Sequence, residues 1–196
     1  PTPRSQVYPL DGSAKLEIGF PLVVKPPCEG SSVGVHICHH QSEFDAAIED
    51  AKKFGKDTLI EDYVAGKELT IGVLGDQVLP VIHIEPVDGF YDINNKYPWM
   101  TGKGKTLYHC PAPFSEAVTK QIQDAALAAF RSCGTEVYGR VDVMLRDSDQ
   151  APFVLEINTI PGMTSSSLLP KAAKAVGIEF PQLCARIIEL SLAARP

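Results

Sequence analysis

Apolar and polar residues alternate most strictly in two runs of the C-terminal half. Residues 153–158, FVLEIN, read as a strand that enters a loop with Pro161, Gly162 and a row of hydroxyls. Successive strand side chains face opposite sides, so Glu156 and Asn158 share one face while Leu155 and Ile157 share the other. Upstream, GRVDVML repeats the pattern, with Arg140 and Asp142 on one face and Val141, Val143 and Leu145 on the other. The connector RDSDQAP is rich in turn formers, which predicts antiparallel pairing of the two runs. Pairing gathers Arg140, Asp142, Glu156 and Asn158 on one polar face. A solvated sheet surface could carry the same residues. Two carboxylates and an amide oxygen are also hard ligands suited to Mg²⁺, and a neighbouring arginine can stabilise charge on a transferring or tetrahedral oxygen.

The rest of the chain alternates periods of two and 3.6. Residues 20–25 (FPLVVK) form a compact apolar strand ending in Lys25, and 33–38 alternate as a second strand. Between them PPCEGSSVG supplies Gly30, Ser31, Ser32 and Gly34, a donor-rich loop able to fold over phosphates, although a plain hairpin turn would use the same residues. It lacks the GxxxxGK[ST] pattern of a Walker A loop. Residues 42–54 read as a helix with Ser42 as N-cap and Gly55 as stop. A strand at 58–63 leads into VAGKE, a hinge between two lobes flanked by Glu61 and Glu68, which surface charge would also explain. A hairpin follows (69–74 and 78–85, turning at Gly75-Asp76), then a long polar loop, 87–105, with Lys96, Lys103 and Lys105. Helices are expected at 115–133, capped by Ser115, and at 167–176 and 180–192.

Composition narrows the classes. A chain of 196 residues, 44% hydrophobic and 21% charged, can bury a real core as one domain or two small ones. A net charge of −6 argues against nucleic acid as a partner. Five cysteines without CxxC spacing fit neither a structural zinc site nor a disulfide framework, and point to a reducing cytoplasm. No apolar run is long enough to span a bilayer, so no membrane partner is expected.

Five motifs, VVKPPCEGSSVGV, LIEDYVAGKELTIGVL, FYDINNKY, GRVDVML and LEINTIPGMTSSSLLP, occur in this order across nearly the whole chain. Together they resemble the D-alanine–D-alanine ligases of the ATP-grasp superfamily. The resemblance implies an α+β ATP-grasp fold, two β-rich lobes with helices that sandwich ATP: a small lobe at 1–64 and a large lobe at 65–196. Lys25 would contact the nucleotide phosphates, with Glu29, Gly30 and Ser32 in the loop over them. Glu61 and the backbone of Val64 would meet the adenine edge, Glu68 the ribose, Phe90 the base and Lys96 the terminal phosphates. Asp142, Glu156 and Asn158 would hold two Mg²⁺ ions, with Mn²⁺ as an alternative.

The implied reaction joins two D-alanines for peptidoglycan and cell-wall biogenesis. One carboxylate attacks the γ-phosphate of ATP to give an acyl phosphate, which the second amine then opens. Arg140 and the N–H of Gly162 would stabilise the oxyanion. Ser167 and the N–H of Leu168 would bind the second substrate's carboxylate, and Ser31 would bond Tyr97. Family members carry a further N-terminal domain that has no counterpart here, so the resemblance implies a fragment unable to ligate alone, from an enzyme that forms a homodimer. Alternatives are a D-alanine–D-lactate ligase, another ATP-grasp carboxylate–amine ligase, and a non-catalytic nucleotide-binding module.

Overall fold

A computed structural model describes residues 1–87 and 105–194. Phe90, Lys96, Tyr97 and Lys103 lie outside the described residues. The chain divides into two units, one made of Pro3–Val64 with the described ends of Pro86–Thr106, the other of Pro1–Thr2, Ala65–Glu85 and the chain from Leu107 onward. The second unit is therefore not the continuous run 65–196, because the chain leaves it after Glu85 and re-enters it at Leu107.

In the first unit, strands β1 (Ser5–Pro9), β2 (Leu22–Lys25), β3 (His36–Cys38) and β4 (Asp57–Asp62) form an antiparallel sheet in the order β1-β4-β2-β3. Helix α1 (Gln41–Ala51) packs on it. Leu22 and Val24 alternate inward from β2, and Phe44, Ala47 and Ala51 recur at helical spacing from α1, so both periods deliver apolar side chains to one core with Ile18, Cys38 and Ile60. Burial pushes the Cys38 thiol up to about 11.

Two local expectations shift here. Helix α1 begins earlier than Ser42: His40 is the N-cap and makes no side-chain cap bond, while Glu43 Oε2 in the first turn reaches back to accept from the His39 N–H, just ahead of the helix, at 2.6 Å. Ser42 Oγ instead lies 3.0 Å from His40 Nδ1. Strand β3 starts at His36 rather than 33, because the preceding residues are taken up by turns, with the Val33 N–H donating to Gly30 O and the Val35 N–H to Ser32 O.

In the second unit, β5 (Gly66–Leu74), β6 (Gln77–Pro86), β7 (Thr106–His109), β8 (Tyr138–Arg146) and β9 (Pro152–Asn158) form a sheet in the order β7-β6-β5-β8-β9. Helix α2 (Glu116–Ser132) covers one face. Ile122, Ala126 and Phe130, four residues apart, meet Leu69, Ile71, Val73, Val141, Val143 and Leu145. The predicted cap holds: Ser115 Oγ accepts from the Val118 N–H at 3.4 Å. Helix α3 (Leu168–Ala175) lies on the opposite face, against β5, where a Cβ on Gly72 would come within 2.6 Å of Leu169 Cδ1. Helix α4 (Phe180–Ala193) follows α3.

Strands β8 and β9 pair antiparallel as alternation predicts, with Arg140 opposite Asn158 and Asp142 opposite Glu156. Beyond Asp142 the register shifts, and Val143 faces Val154. The shift leaves Leu155 without a cross-strand partner, so Val154 and Ile157 pack against the core where Leu155 and Ile157 were expected.

Candidate active site

The first unit carries a loop and an ion pair of its own. In the Gly/Ser loop, Gly30 O accepts from the Val33 N–H at 3.1 Å, and both central residues, Ser31 and Ser32, have positive φ (55° and 60°). Those are the demands of a type I′ turn, met here by serines where Asn or Gly would be less strained. The other end of the loop is fixed by close packing. A Cβ on Gly34, itself at φ 69°, would fall 2.7 Å from Phe54 Cε2 and 2.8 Å from Pro26 Cγ. Glu29 and Gly30 are exposed, while Ser31 and Ser32 are half-buried.

Lys25 and Glu61 point away from the core, since Leu22 and Val24 occupy the inner positions of β2. Lys25 Nζ lies 2.8 Å from Glu61 Oε2, with the Glu61 side chain only 10% exposed. Val64, at the end of this unit, is buried. A buried carboxylate held by one lysine can exchange that partner for another donor, and the lysine can move to an anion.

The second unit brings the four expected polar residues together. Register partners in an antiparallel ladder share a face, so Thr70, Asp142 and Glu156 line up across β5, β8 and β9. Arg140 and Asn158 stand beside them. Arg140 grips Asp142 as a fork, Nε to Oδ1 at 2.9 Å and Nη2 to Oδ2 at 2.8 Å. Thr70 Oγ1 adds a third bond to Oδ1 at 2.5 Å. Thr70 was not singled out from the sequence; its signal was its place opposite Asp142, visible only once β5 and β8 are paired. Glu156 is exposed, and Asn158 Oδ1 accepts from the Ile160 N–H at 3.2 Å. Glu68 sits on β5, half-buried, opposite Met144.

This donor set fits a hard divalent cation. The three bonds to Asp142 use three of roughly four acceptor sites of a carboxylate, which leaves one for a metal. The exposed Glu156 and the Asn158 amide oxygen supply further oxygens on the same face.

Helix α3 completes the arrangement. Gly72 is opposite Arg140 in the β5–β8 ladder, and Leu169 in the first turn of α3 seats against Gly72. The start of the helix therefore lies over the face that carries Arg140 and Asp142. Its N-cap is Ser167, whose hydroxyl accepts from the Thr164 N–H at 3.0 Å rather than capping the helix. The chain folds Gly162 back onto Ser167, since a Cβ on Gly162 would be 2.8 Å from Ser167 Oγ. Backbone N–H groups at a helix start with a hydroxyl beside them, over the face that carries Arg140, can take a carboxylate.

Comparison with known proteins gives a consistent result. Residues 10–189 match the family described as D-ala D-ala ligase C-terminus. A D-alanine–D-alanine ligase of Methylacidiphilum infernorum is 46% identical over 97% of this chain and 61% of its own length. The crystal structure of D-alanine–D-alanine ligase from Bacillus anthracis superposes with a TM-score of 0.84 at 34% identity, covering 98% of this chain and 62% of that one. The same enzyme complexed with ATP gives 0.78 at 32% identity, covering 98% and 61%. The chain thus spans about 60% of the length of these relatives. The α+β ATP-grasp fold expected from the motifs is the fold observed. Among the described residues no helix is long and apolar enough to cross a membrane.

Proposed function

This chain belongs to the D-alanine–D-alanine ligase family, matching its C-terminal part, and from that premise we propose that it carries the phosphoryl-transfer and acyl-transfer machinery of an ATP-dependent ligase joining two D-alanines. The observation that carries the proposal is the single face shared by Arg140, Asp142, Glu156 and Asn158, with the start of α3 over it.

In this reading Lys25, Glu29, Gly30 and Ser32 bind the phosphates of ATP, Glu61 and Val64 the adenine edge, and Glu68 the ribose. Phe90 and Lys96 join the nucleotide site, and Ser31 bonds Tyr97. Asp142, Glu156 and Asn158 hold Mg²⁺, supported by their hard oxygen donors. When bound, the metal offsets the charge that spreads over the transferring phosphoryl group.

The carboxylate of the first D-alanine attacks the γ-phosphorus in line, the bond to ADP breaks, and an acyl phosphate forms. The amine of the second D-alanine then attacks the acyl carbon. Arg140 and the Gly162 N–H stabilise the oxyanion, and its collapse expels phosphate. Asp142 holds the guanidinium of Arg140 in a fixed fork, so this donor is oriented before the charge develops. Ser167 and the Leu168 N–H hold the second substrate's carboxylate, and fix which amine faces the acyl carbon. The roughly two fifths of the family's length that this chain does not span would supply the grip on the first substrate. The 196 residues alone are then expected to bind Mg-ATP without D-alanine-dependent turnover. A cytoplasmic homodimer supplying peptidoglycan precursor completes the proposal.

Isothermal titration with Mg-ATP tests it directly. Wild type should bind one nucleotide per chain, and Glu156→Gln should bind roughly tenfold more weakly or worse, since a ligand charge is lost. Equal affinity for wild type and variant would remove the metal cluster from the nucleotide site.

A further inference from the structure

A second set of metal-ligating side chains lies on the opposite face of the second sheet. His83 is in register with Leu69, whose side chain is in the core under α2, whereas Asp142 is in register with Thr70. Val81, His83 and Glu85 alternate along the α2 side of β6, from buried to half-buried to exposed. His109, from the neighbouring strand β7, stacks on His83 with ring centroids 5.4 Å apart and planes 24° apart. His109 Nε2 lies 2.6 Å from Glu85 Oε2.

We propose that His83, Glu85 and His109 form a binding site for one Zn²⁺ ion. One ligand atom from each residue lies within 4.8 Å of the other two. Tetrahedral zinc, with bonds of about 2.0–2.1 Å, needs its donors about 3.3 Å apart. The shortest separation, 2.6 Å, must open and the longer ones must close, which side-chain torsions alone accomplish because the strands are already neighbours.

Two imidazoles and a carboxylate select a borderline transition metal over Mg²⁺ or Ca²⁺, so this site and the all-oxygen Asp142 cluster sort different ions. Access is open, with the side chains of His109 and Glu85 40% and 51% exposed. Phe114, 6.1 Å from the His83 ring, walls the inner side. Three protein ligands leave the fourth position for water, and the ion would tie β6 to β7. The two histidines and the glutamate are absorbed by no part of the ligase reading, so the site stands whether or not that reading does.

The test uses the 196-residue protein stripped with EDTA, then titrated with Zn²⁺ against a chromophoric chelator in excess Mg²⁺. One zinc per chain is expected. His83→Ala and His109→Ala should each weaken it about tenfold or more, and the isosteric Glu85→Gln should weaken it less. Cys110→Ser and Cys133→Ser should leave the affinity unchanged. Zinc should raise the Tm of wild type by roughly 5 °C and that of His83→Ala/His109→Ala not at all, while the two proteins melt alike in EDTA. If the double variant does not fold, a Co²⁺-loaded wild type decides the matter. Nitrogen–oxygen d–d bands without thiolate charge transfer support the site, and a thiolate band overturns it. Zinc retained equally by wild type and Glu85→Gln/His109→Ala, or no stoichiometric binding by wild type, reduces the trio to an ion pair beside a stacked histidine and ends the proposal.

Discussion

Each of the two sheets holds a half-buried cation against a nearly buried carboxylate, and the two pairs are built differently. Lys25 and Glu61 meet across β2 and β4 through one contact of 2.8 Å, with side chains 24% and 10% exposed. Arg140 and Asp142 stand two apart on one strand, at 20% and 11% exposure, joined by a fork and reinforced by Thr70. Burial is therefore the same while orientation is not. A planar fork fixes both partners, whereas an ammonium on a four-carbon stem fixes neither. The first arrangement suits a lysine that must move to phosphate, the second an arginine that must already be in place.

The largest effect is expected from disturbing the β5–β8 ladder that sets Thr70 opposite Asp142. Gly66 pairs with Arg146 at the start of the β5–β8 ladder, and a Cβ there would lie 2.0 Å from Leu145 O. Backbone cannot swing aside as a side chain can. Gly66→Ala should cost about 3 kcal/mol or more, read as a lower urea midpoint. An unchanged midpoint would mean that the ladder tolerates far more movement than its register implies.

Removing the cations comes next. Arg140→Ala leaves Asp142 oriented but uncompensated, an expected loss of about 2 kcal/mol after allowance for its partial exposure. Lys25→Ala should cost about 1 kcal/mol, because the single flexible contact gives less. Arg140→Lys should recover little of the loss while Lys25→Arg recovers most of its own. Denaturant titrations giving equal costs for both pairs would erase the distinction between them.

A functional effect with little change in stability is expected at the loop before α3. Gly162→Ala drives a methyl into Ser167 Oγ, which the exposed loop can relieve by moving the hydroxyl. Under the proposed function, a protein that joins this chain to the family's N-terminal part should show the second substrate's KM raised about tenfold, with the ATP KM steady. A rise in both would assign Gly162 to folding of the site as a whole.

The smallest effect concerns a second fork. Arg146 binds Asp149 with Nε to Oδ1 at 2.9 Å and Nη2 to Oδ2 at 2.7 Å, but both side chains are more than a third exposed. The Arg146 guanidinium and the Ala151 N–H hold the Asp149 carboxyl down at about 2. A depressed folded-state pKa gives stability that is present above the ordinary value of 3.8 and lost as pH falls through about 2. Asp149→Asn should flatten the stability profile slightly over that window, costing a little stability at neutral pH and nothing below about pH 2. A difference at neutral pH as large as that of Arg140→Ala would show that exposure does not discount a fork.

The candidate site was legible because its residues fall on two strands joined by a short turn. Alternation alone placed Arg140 and Asp142 on one face and Glu156 and Asn158 on another, and the turn placed the two faces side by side. Helix α2 was legible for a similar reason, a serine cap before a clear 3.6-residue stripe. Period-counting failed at Leu155, where one unpaired residue brings Val154 inward in its place, and no residue type announces such a bulge. The start of α1 escaped because its N-cap, His40, makes no side-chain cap bond, so no capping residue type marks the position.

Residue order alone sets the features that depend on near neighbours in the chain: the strand faces, the helix stripes, the turns and the pairing of β8 with β9. Tertiary structure decided which distant segments share a surface. It set Thr70 against Asp142, Gly72 under α3, and His109 beside His83 and Glu85. The reason is physical. Backbone geometry fixes the direction of a side chain relative to its own strand, but only the packing of whole elements around a core fixes which strands become neighbours.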